Sequence, residues 1–347
     1  MLEEGKTRAI GLKVQARMAE KTTRILLEQG LLDARLAPKR DNGFVVFPLT
    51  SMPRNQLLDI AGGEVLEFEF SRRPTRPTSL KDELRRVLTD EELKDAPSSF
   101  DIIGDIAVVH IPESLASKAR LIGEAILRVQ RSVRVVLGES GRVEGTYRVR
   151  RYIHLAGEER TQTIHRENGC LFFVDLSRVY YTPRLSGERM RIASLVSSDE
   201  VVADMFAGVG PFAITCAKHS GAIVYASELN PAAYELLVKN IEANRLSSRV
   251  TPLFGDCREV FRYVKRRFDR VIMNFPSDPL SFLYTALTIL KEKGTIHLYG
   301  FTESPDDWRR LVEERVKSLG ASCSVSAKRL RPISPKKSLH VADVEIY

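Results

Sequence analysis

The stretch Asp204-Met205-Phe206-Ala207-Gly208-Val209-Gly210-Pro211-Phe212 decides the fold. It runs from an apolar strand candidate at 201–207 through two glycines into a proline-started helical pattern. Glycines after a buried strand let backbone approach a ligand closely, and the helix N-terminus behind them favours a carboxylate or phosphate. Gly208, Gly210 and Ala213 satisfy the G-x-G-x-x-G/A dinucleotide pattern, so the turn alone is compatible with a nicotinamide enzyme. Downstream, apolar strand candidates recur at 222–229, 250–256, 269–275 and 294–301, each followed by a helical pattern expected to run ten residues or more. That rhythm predicts an α/β fold with a parallel, doubly wound, Rossmann-like sheet. Cys323 onward and Leu339 to Ile346 are two strands without a helix between them, predicting an antiparallel last pair at one edge.

Each strand end in this half carries a polar residue. Glu228 ends the second strand, where an acid can accept both ribose hydroxyls of an adenosine. Asp256 and Cys257 end the third, at the edge where an adenine would sit. The fourth ends in Asn274-Phe275-Pro276, pointing polar groups into the crevice in which such sheets bind ligands. Singly, Glu228 or Asp256 reads equally well as a helix-capping or solvated acid. As an ordered set with Asp204 they read as a binding site.

Working toward the N-terminus, Val143, Tyr147, Val149, Ile153 and Leu155 are spaced to face one side of a strand, with Arg148, Arg150, Tyr152 and His154 on the other. Asp101 to Ile111 and Val133 to Leu137 read as strands, residues 115–130 as helix, and Asn168-Gly169 as a hairpin turn. Residues 100–176 are therefore expected to form a β-rich middle domain ahead of a domain at 177–347. Residues 7–32 read as helix, with Phe44-Val45-Val46-Phe47 and Leu66 to Phe70 as strands of a small α/β unit at 1–75. Ser71 to Ser79, with three Arg, two Pro and no acid, has a linker's composition, and 76–99 is expected to connect the two parts.

The 347 residues hold 53 Lys+Arg against 45 Asp+Glu, a net charge of +8 that suits a polyanionic partner. Arg258 to Arg270 and Lys328 to Lys337 concentrate that charge, although charge runs are usually solvated faces. Cys170, Cys216, Cys257 and Cys323 have no paired spacing, and the six histidines no metal-ligand spacing. No apolar run approaches bilayer length and the N-terminus has no signal-peptide pattern, which points to a cytoplasmic chain without membrane or metal.

The glycine turn with Phe206-Ala207-Gly208-Val209-Gly210-Pro211-Phe212, the Asn274-Phe275-Pro276 strand end and Tyr180-Tyr181-Thr182-Pro183-Arg184-Leu185-Ser186-Gly187-Glu188-Arg189 together resemble the archaeal and eukaryotic tRNA (guanine-37-N1)-methyltransferases. The resemblance extends over nearly the whole chain and implies S-adenosyl-L-methionine as cofactor and a class I methyltransferase domain at 177–347. It also implies tRNA as substrate, gripped at the elbow by the N-terminal unit and at the anticodon loop by the rest, and a monomer. The chain departs from the family pattern at Phe275 and Ser277. By resemblance Glu188 is the base that removes the guanine N1 proton and Arg148 the partner of O6, with Asn274 and Pro276 holding the base edge. Asp204, Phe206, Ala207, Gly208, Gly210, Glu228, Asp256, Cys257, Asn274 and Arg184 are implied to hold the cofactor. Tyr180, Pro183, Arg148 and Arg150 are implied to contact substrate. A carboxylate base and a cation at O6 are the physical minimum for this reaction. Glu188 could instead be a first-turn acid favoured by the helix dipole, and Arg148 a phosphate contact. Rival readings are C7-methylation of a tricyclic wyosine intermediate, aminocarboxypropyl transfer from the same cofactor, a nicotinamide dehydrogenase, and a catalytically silent RNA-binding protein.

Overall fold

The computed structural model describes residues 6–53, 62–71, 79–144, 147 and 149–347. The chain divides into two compact units, Met1–Thr78 and Ser79–Tyr347.

In the first unit, β1 (Lys6–Gln15), β2 (Lys39–Asp41), β3 (Phe44–Pro48) and β4 (Glu64–Ser71) form an antiparallel sheet in the order β2-β3-β1-β4. Helix α1 (Ala19–Glu28) follows β1 after one 3-10 turn. The expected helix over 7–32 is thus corrected in its first third. Ile10, Leu12 and Val14 alternate, so a two-residue period governs 6–15 and the helical period begins only at Ala19. Leu12, Val14, Leu26, Val45, Phe47 and Leu49 make one core, and Leu36, Val46 and Phe70 a smaller one on the opposite face. At Gly11 a Cβ would lie 2.7–2.8 Å from Phe68, Phe70 and Val46, so only glycine admits those side chains.

The second unit starts earlier than the composition of 76–99 suggests. Residues 80–84 and 92–95 are helical turns, and Leu84 and Leu88 are buried in the core beyond. Polar spacing hid this, because a short helix needs only one or two apolar anchors. Strands β5 (Asp101–Ile103), β6 (Ile106–Val109), β7 (Val135–Glu144) and β8 (Val149–Gly157) form a sheet in that order, with α2 (Ala119–Val129) on one face. Gly104 and Asp105 break Asp101 to Ile111 into the hairpin β5–β6. A register shift opposite Leu137 breaks the expected alternation in β8: Leu155 is buried while Ile153 is 57% exposed.

Strands β9 (Gln162–Glu167) and β10 (Cys170–Asp175) form the expected hairpin around Asn168 and Gly169, both at positive φ. The hairpin does not stay with the middle sheet. Leu171 and Phe173 exchange backbone hydrogen bonds with the amide side chains of Asn244 and Asn240, which follow from the next helical layer.

The seven-stranded sheet has the doubly wound, Rossmann-like order expected from the sequence. Strands β11 (Val201–Asp204), β12 (Ile223–Glu228), β13 (Val250–Phe254), β14 (Phe268–Met273) and β15 (Leu290–Thr302) are parallel, in the order β13-β12-β11-β14-β15. β16 (Cys323–Ser334) and β17 (Lys337–Ile346) complete it, with β17 inserted antiparallel between β15 and β16. Helices α3 (Ser186–Leu195), α4 (Pro211–Ser220), α5 (Pro231–Ala243), α6 (Leu283–Ile289) and α7 (Pro305–Ser318) cover the faces. The helix expected after β13 shrinks to Cys257–Val260 plus a 3-10 turn, and that after β14 to the seven residues of α6. Both short crossovers lie beside the crevice, where Asp256 and Asn274-Phe275-Pro276 take the chain across the strand ends. Trp308 of α7 sits against Gly300, where a Cβ would be 2.5 Å from its ring. All four cysteines are free and buried. Among the described residues no helix is long and apolar enough to cross a membrane.

Candidate active site

The glycine turn sits where strand order reverses, between β11 and its neighbours β12 and β14, the position at which open α/β sheets bind ligands. Gly210 (φ 92°) caps α4; a Cβ there would meet Leu237 at 2.6 Å, so this glycine serves packing behind the turn. Gly208 (φ 56°) faces open space, and its N–H donates to Glu228 Oε2 at 2.7 Å. The other oxygen of Glu228 accepts from Asn230 N–H at 2.7 Å, while Asn230 caps α5 and donates to the Arg178 carbonyl. Burial raises the Glu228 pKa above the ordinary carboxylate value. Two backbone donors hold the carboxylate in one orientation, and each oxygen keeps a lone pair for a ligand hydroxyl.

Asp204, expected at the cofactor, stands behind the turn. It lies fully buried under the turn, does not line the cavity, and accepts from Phe206 N–H at 3.4 Å. Burial, reinforced by the neighbouring charge of Glu228, pushes its pKa up to about 7. Gly210 is likewise outside the cavity wall.

A cavity of about 500 Å³ opens over the carboxyl ends of β11 to β14. Phe206, Ala207, Gly208, Glu228, Asp256, Cys257, Asn274 and Pro276, all singled out in the sequence, line it. Asp256 also caps the Cys257–Val260 turn, and its hydrogen bonds with Arg258 hold its pKa low, so the capping and binding readings hold together. The sequence reading missed the aromatic wall. Phe206 stacks on Phe275 at 4.9 Å, and Phe282 packs edge-on to both, at 5.0 and 5.7 Å. Phe275, one of the departures from the family pattern, therefore has a packing reason. A bracketed carboxylate, an open glycine backbone and an aromatic slot fit the ribose and adenine of S-adenosylmethionine.

The opposite wall is made by Arg150, Tyr180, Tyr181, Thr182, Leu185 and Arg189, with Arg331 from β16. Of the residues expected here, Tyr180 and Arg150 line the cavity. Arg148 lies outside the described residues. Pro183 starts a 3-10 turn and does not line it. Arg184, expected at the cofactor, pairs instead with Asp101 at 2.6 Å outside the wall. Arg189, not singled out from sequence, is buried and bridges Glu167 and the Thr182 carbonyl.

Glu188 does not line the cavity either. Its carboxylate is buried in the first turn of α3, bonded to Arg191 at 2.7 and 2.8 Å and to the Tyr299 hydroxyl at 2.9 Å, with Lys328 at 3.5 Å. Arg191 reaches equally to Asp343, at 2.8 and 3.0 Å, and Asp343 accepts from His297 Nδ1 at 2.6 Å. His297 meets Arg270, which pairs with Glu200. One basic residue of the 258–270 run is thus structural.

The family model described as the TRM5/TYW2 methyltransferase domain matches residues 163–326. A model of the TYW2 N-terminal domain matches 80–161, and one of the tRNA methyltransferase 5 N-terminal domain matches 11–57. The chain is 38% identical to the tRNA (guanine(37)-N(1))-methyltransferase Trm5b of Pyrococcus abyssi, over 94% of this chain and 96% of that protein. It is 32% identical to the tRNA 4-demethylwyosine(37)-methyltransferase Taw21 of Saccharolobus solfataricus, over 74% of this chain and 96% of the other. Among solved structures, an aTrm5 in complex with tRNALeu superposes with a TM-score of 0.80 at 33% identity, over 97% of this chain and all of that one.

Proposed function

The chain belongs to the TRM5/TYW2 methyltransferase family, and from that premise we propose how its own residues divide the work. Its activity is transfer of a methyl group from S-adenosylmethionine to N1 of guanine 37 in tRNA. The observation that carries the assignment of residues is that one cavity joins the Glu228 bracket to the Asn274-Phe275-Pro276 strand end.

When bound, S-adenosylmethionine supplies a methyl group on a positively charged sulfur. Glu228 accepts the ribose hydroxyls, and the aromatic wall of Phe206, Phe275 and Phe282, with Asp256 and Cys257, encloses the adenine. Asn274 and the chain entering Pro276 hold the edge of a guanine flipped out of its loop, and Tyr180 covers its face. Arg148 meets O6, where negative charge gathers as N1 loses its proton. Glu188 takes that proton. Its bond to Arg191 must open first, and Asp343 makes this feasible: burial would raise the Asp343 pKa, but its bonds with His297 and Arg191 keep it low. Asp343 therefore stays ionised, and Arg191 keeps a carboxylate partner when Glu188 turns to the cavity.

The N-terminal unit contacts the tRNA elbow, and the enzyme works as a monomer in the cytoplasm. Single-turnover methylation of unmodified tRNA transcripts carrying guanine or adenine at position 37, with mass-spectrometric identification of the nucleoside, tests the reaction. The expected product is 1-methylguanosine, formed only with guanine. The 32% identity to a 4-demethylwyosine methyltransferase supplies the second arm. Transfer only to tRNA carrying wyosine intermediates would move the activity to that branch.

A further inference from the structure

Around the substrate wall nearly every arginine has a carboxylate. Arg150 pairs with Glu139, Arg184 with Asp101, Arg189 with Glu167, and Arg258 with Asp256. Arg331 is the exception among the described residues. Its side chain is half-buried, lines the cavity and has no ion pair, and its Nε is a buried donor without a hydrogen-bond partner. Burial pulls its pKa below the usual guanidinium value; Tyr180 and Asp101 act against that shift, and Arg184 and Arg150 act with it.

The fold places it there by a specific device. β16 pairs regularly with β17 as far as Arg329 opposite His340, and then Arg331, not Leu330, stands opposite Leu339. Leu330 is the extra residue of a bulge. It packs into the core, while Arg331 and Leu339 both reach the cavity. Bulges beside active sites re-aim side chains in this way. A half-buried guanidinium whose Nε has no partner is costly unless an anion joins it, and Arg150 and Arg184 beside it already have carboxylates of their own.

We propose that Arg331, with Arg150 beside it, is an anion subsite that takes the phosphodiester adjoining the target guanine. The inference rests on the reaction assigned above, because a guanine within tRNA brings a charged phosphate on each side. The other anionic oxygen group available to this cavity is the methionine carboxylate of the cofactor. Strand order favours the phosphate: the cofactor bracket is on β12, whereas Arg331 is on the edge strand beyond β14, β15 and β17. Guanidinium also suits phosphate, which it can grip with two parallel hydrogen bonds.

The test uses full-length enzyme with Arg331→Ala and Arg331→Lys, and tRNA assembled with a neutral methylphosphonate either 5′ or 3′ of guanine 37. Arg331→Ala should lower kcat/KM for tRNA about 10- to 100-fold, the weight of a charge-assisted hydrogen bond. Arg331→Lys should recover part of that, with S-adenosylmethionine affinity by calorimetry unchanged in both. One of the two methylphosphonates should slow the wild type to a similar degree and add nothing further in Arg331→Ala. Additive losses at both linkages would overturn the proposal. So would weakened cofactor binding with unchanged use of tRNA, which would assign Arg331 to the carboxylate. The Lys variant keeps the test informative if Ala disturbs the edge strand. Failure of the underlying reaction would look different: the wild type itself would leave guanine 37 unmethylated while still binding cofactor.

Discussion

The two ends of the cavity differ in how complete they are. At the β11–β13 end the two carboxylates that line the cavity are already held by backbone amides: Glu228 by Gly208 and Asn230, Asp256 by its own helical turn. At the α3 and β16 end the charges are engaged with one another or not at all, Glu188 with Arg191 and Arg331 with nothing. On the proposed assignment, a small cofactor cannot reorganise a protein at much gain, which fits an end held by backbone amides that cannot move. A large polyanion brings enough contact energy to rearrange side-chain ion pairs, which on the same assignment fits an end whose charges pair with one another or wait unpaired.

The strongest break of this comparison is Glu188→Gln. If Glu188 is released to act as base, kcat should fall about 10³-fold, within the usual range for a lost general base, with cofactor affinity unchanged. A fall in thermal stability with kcat preserved would make Glu188 structural. Next is Glu228→Ala, which strips the acceptor from two backbone donors. S-adenosylmethionine should bind about 100-fold more weakly while tRNA affinity holds; equal losses of both would erase the distinction between the ends. Asp343→Asn sharpens the substrate end. Without that carboxylate Arg191 has only Glu188, and kcat should drop about tenfold with KM for tRNA unchanged, whereas a rise in kcat would show that Asp343 restrains the base.

The smallest effect concerns pH. Asp204 has its folded pKa raised to about 7 from an ordinary value of 3.8. The folded state then holds the proton more tightly, so its contribution is fully present below pH 4 and is lost as pH rises toward 7. Asp204→Asn keeps the shape without the charge, so its melting temperature relative to the wild type should climb between pH 5 and pH 8. A constant offset would show that the carboxyl does not titrate in that window.

Much of this was legible along the chain. The glycine turn, the strand-end residues Glu228, Asp256 and Asn274, and the Asn168-Gly169 hairpin carry local chemistry, and each sits in the structure where its pattern implied. The misreadings of the fold arise where a local pattern is broken or sparse. The helix over 7–32 failed where a two-residue period abutted a helical one. The alternation in β8 failed at a bulge opposite Leu137, and residues 80–95 looked like linker because few anchors hold them. Motif position also does not say which way a side chain turns when an oppositely charged neighbour is in reach, as with Arg184 beside Asp101 and Glu188 beside Arg191.

The sequence by itself determined the parallel sheet of the second unit and the polar residues at its strand ends. Those depend on periodicity and on backbone geometry that glycine, proline and strand-end acids enforce within a few residues. Only the tertiary structure decided that Phe275 joins Phe206 and Phe282 in one wall, that Arg191 stands between Glu188 and Asp343, and that Arg331 faces the cavity without a carboxylate. Those outcomes depend on which distant strands become neighbours and on where a bulge shifts their register. Charges separated by more than a hundred residues pair or stay bare according to that registry.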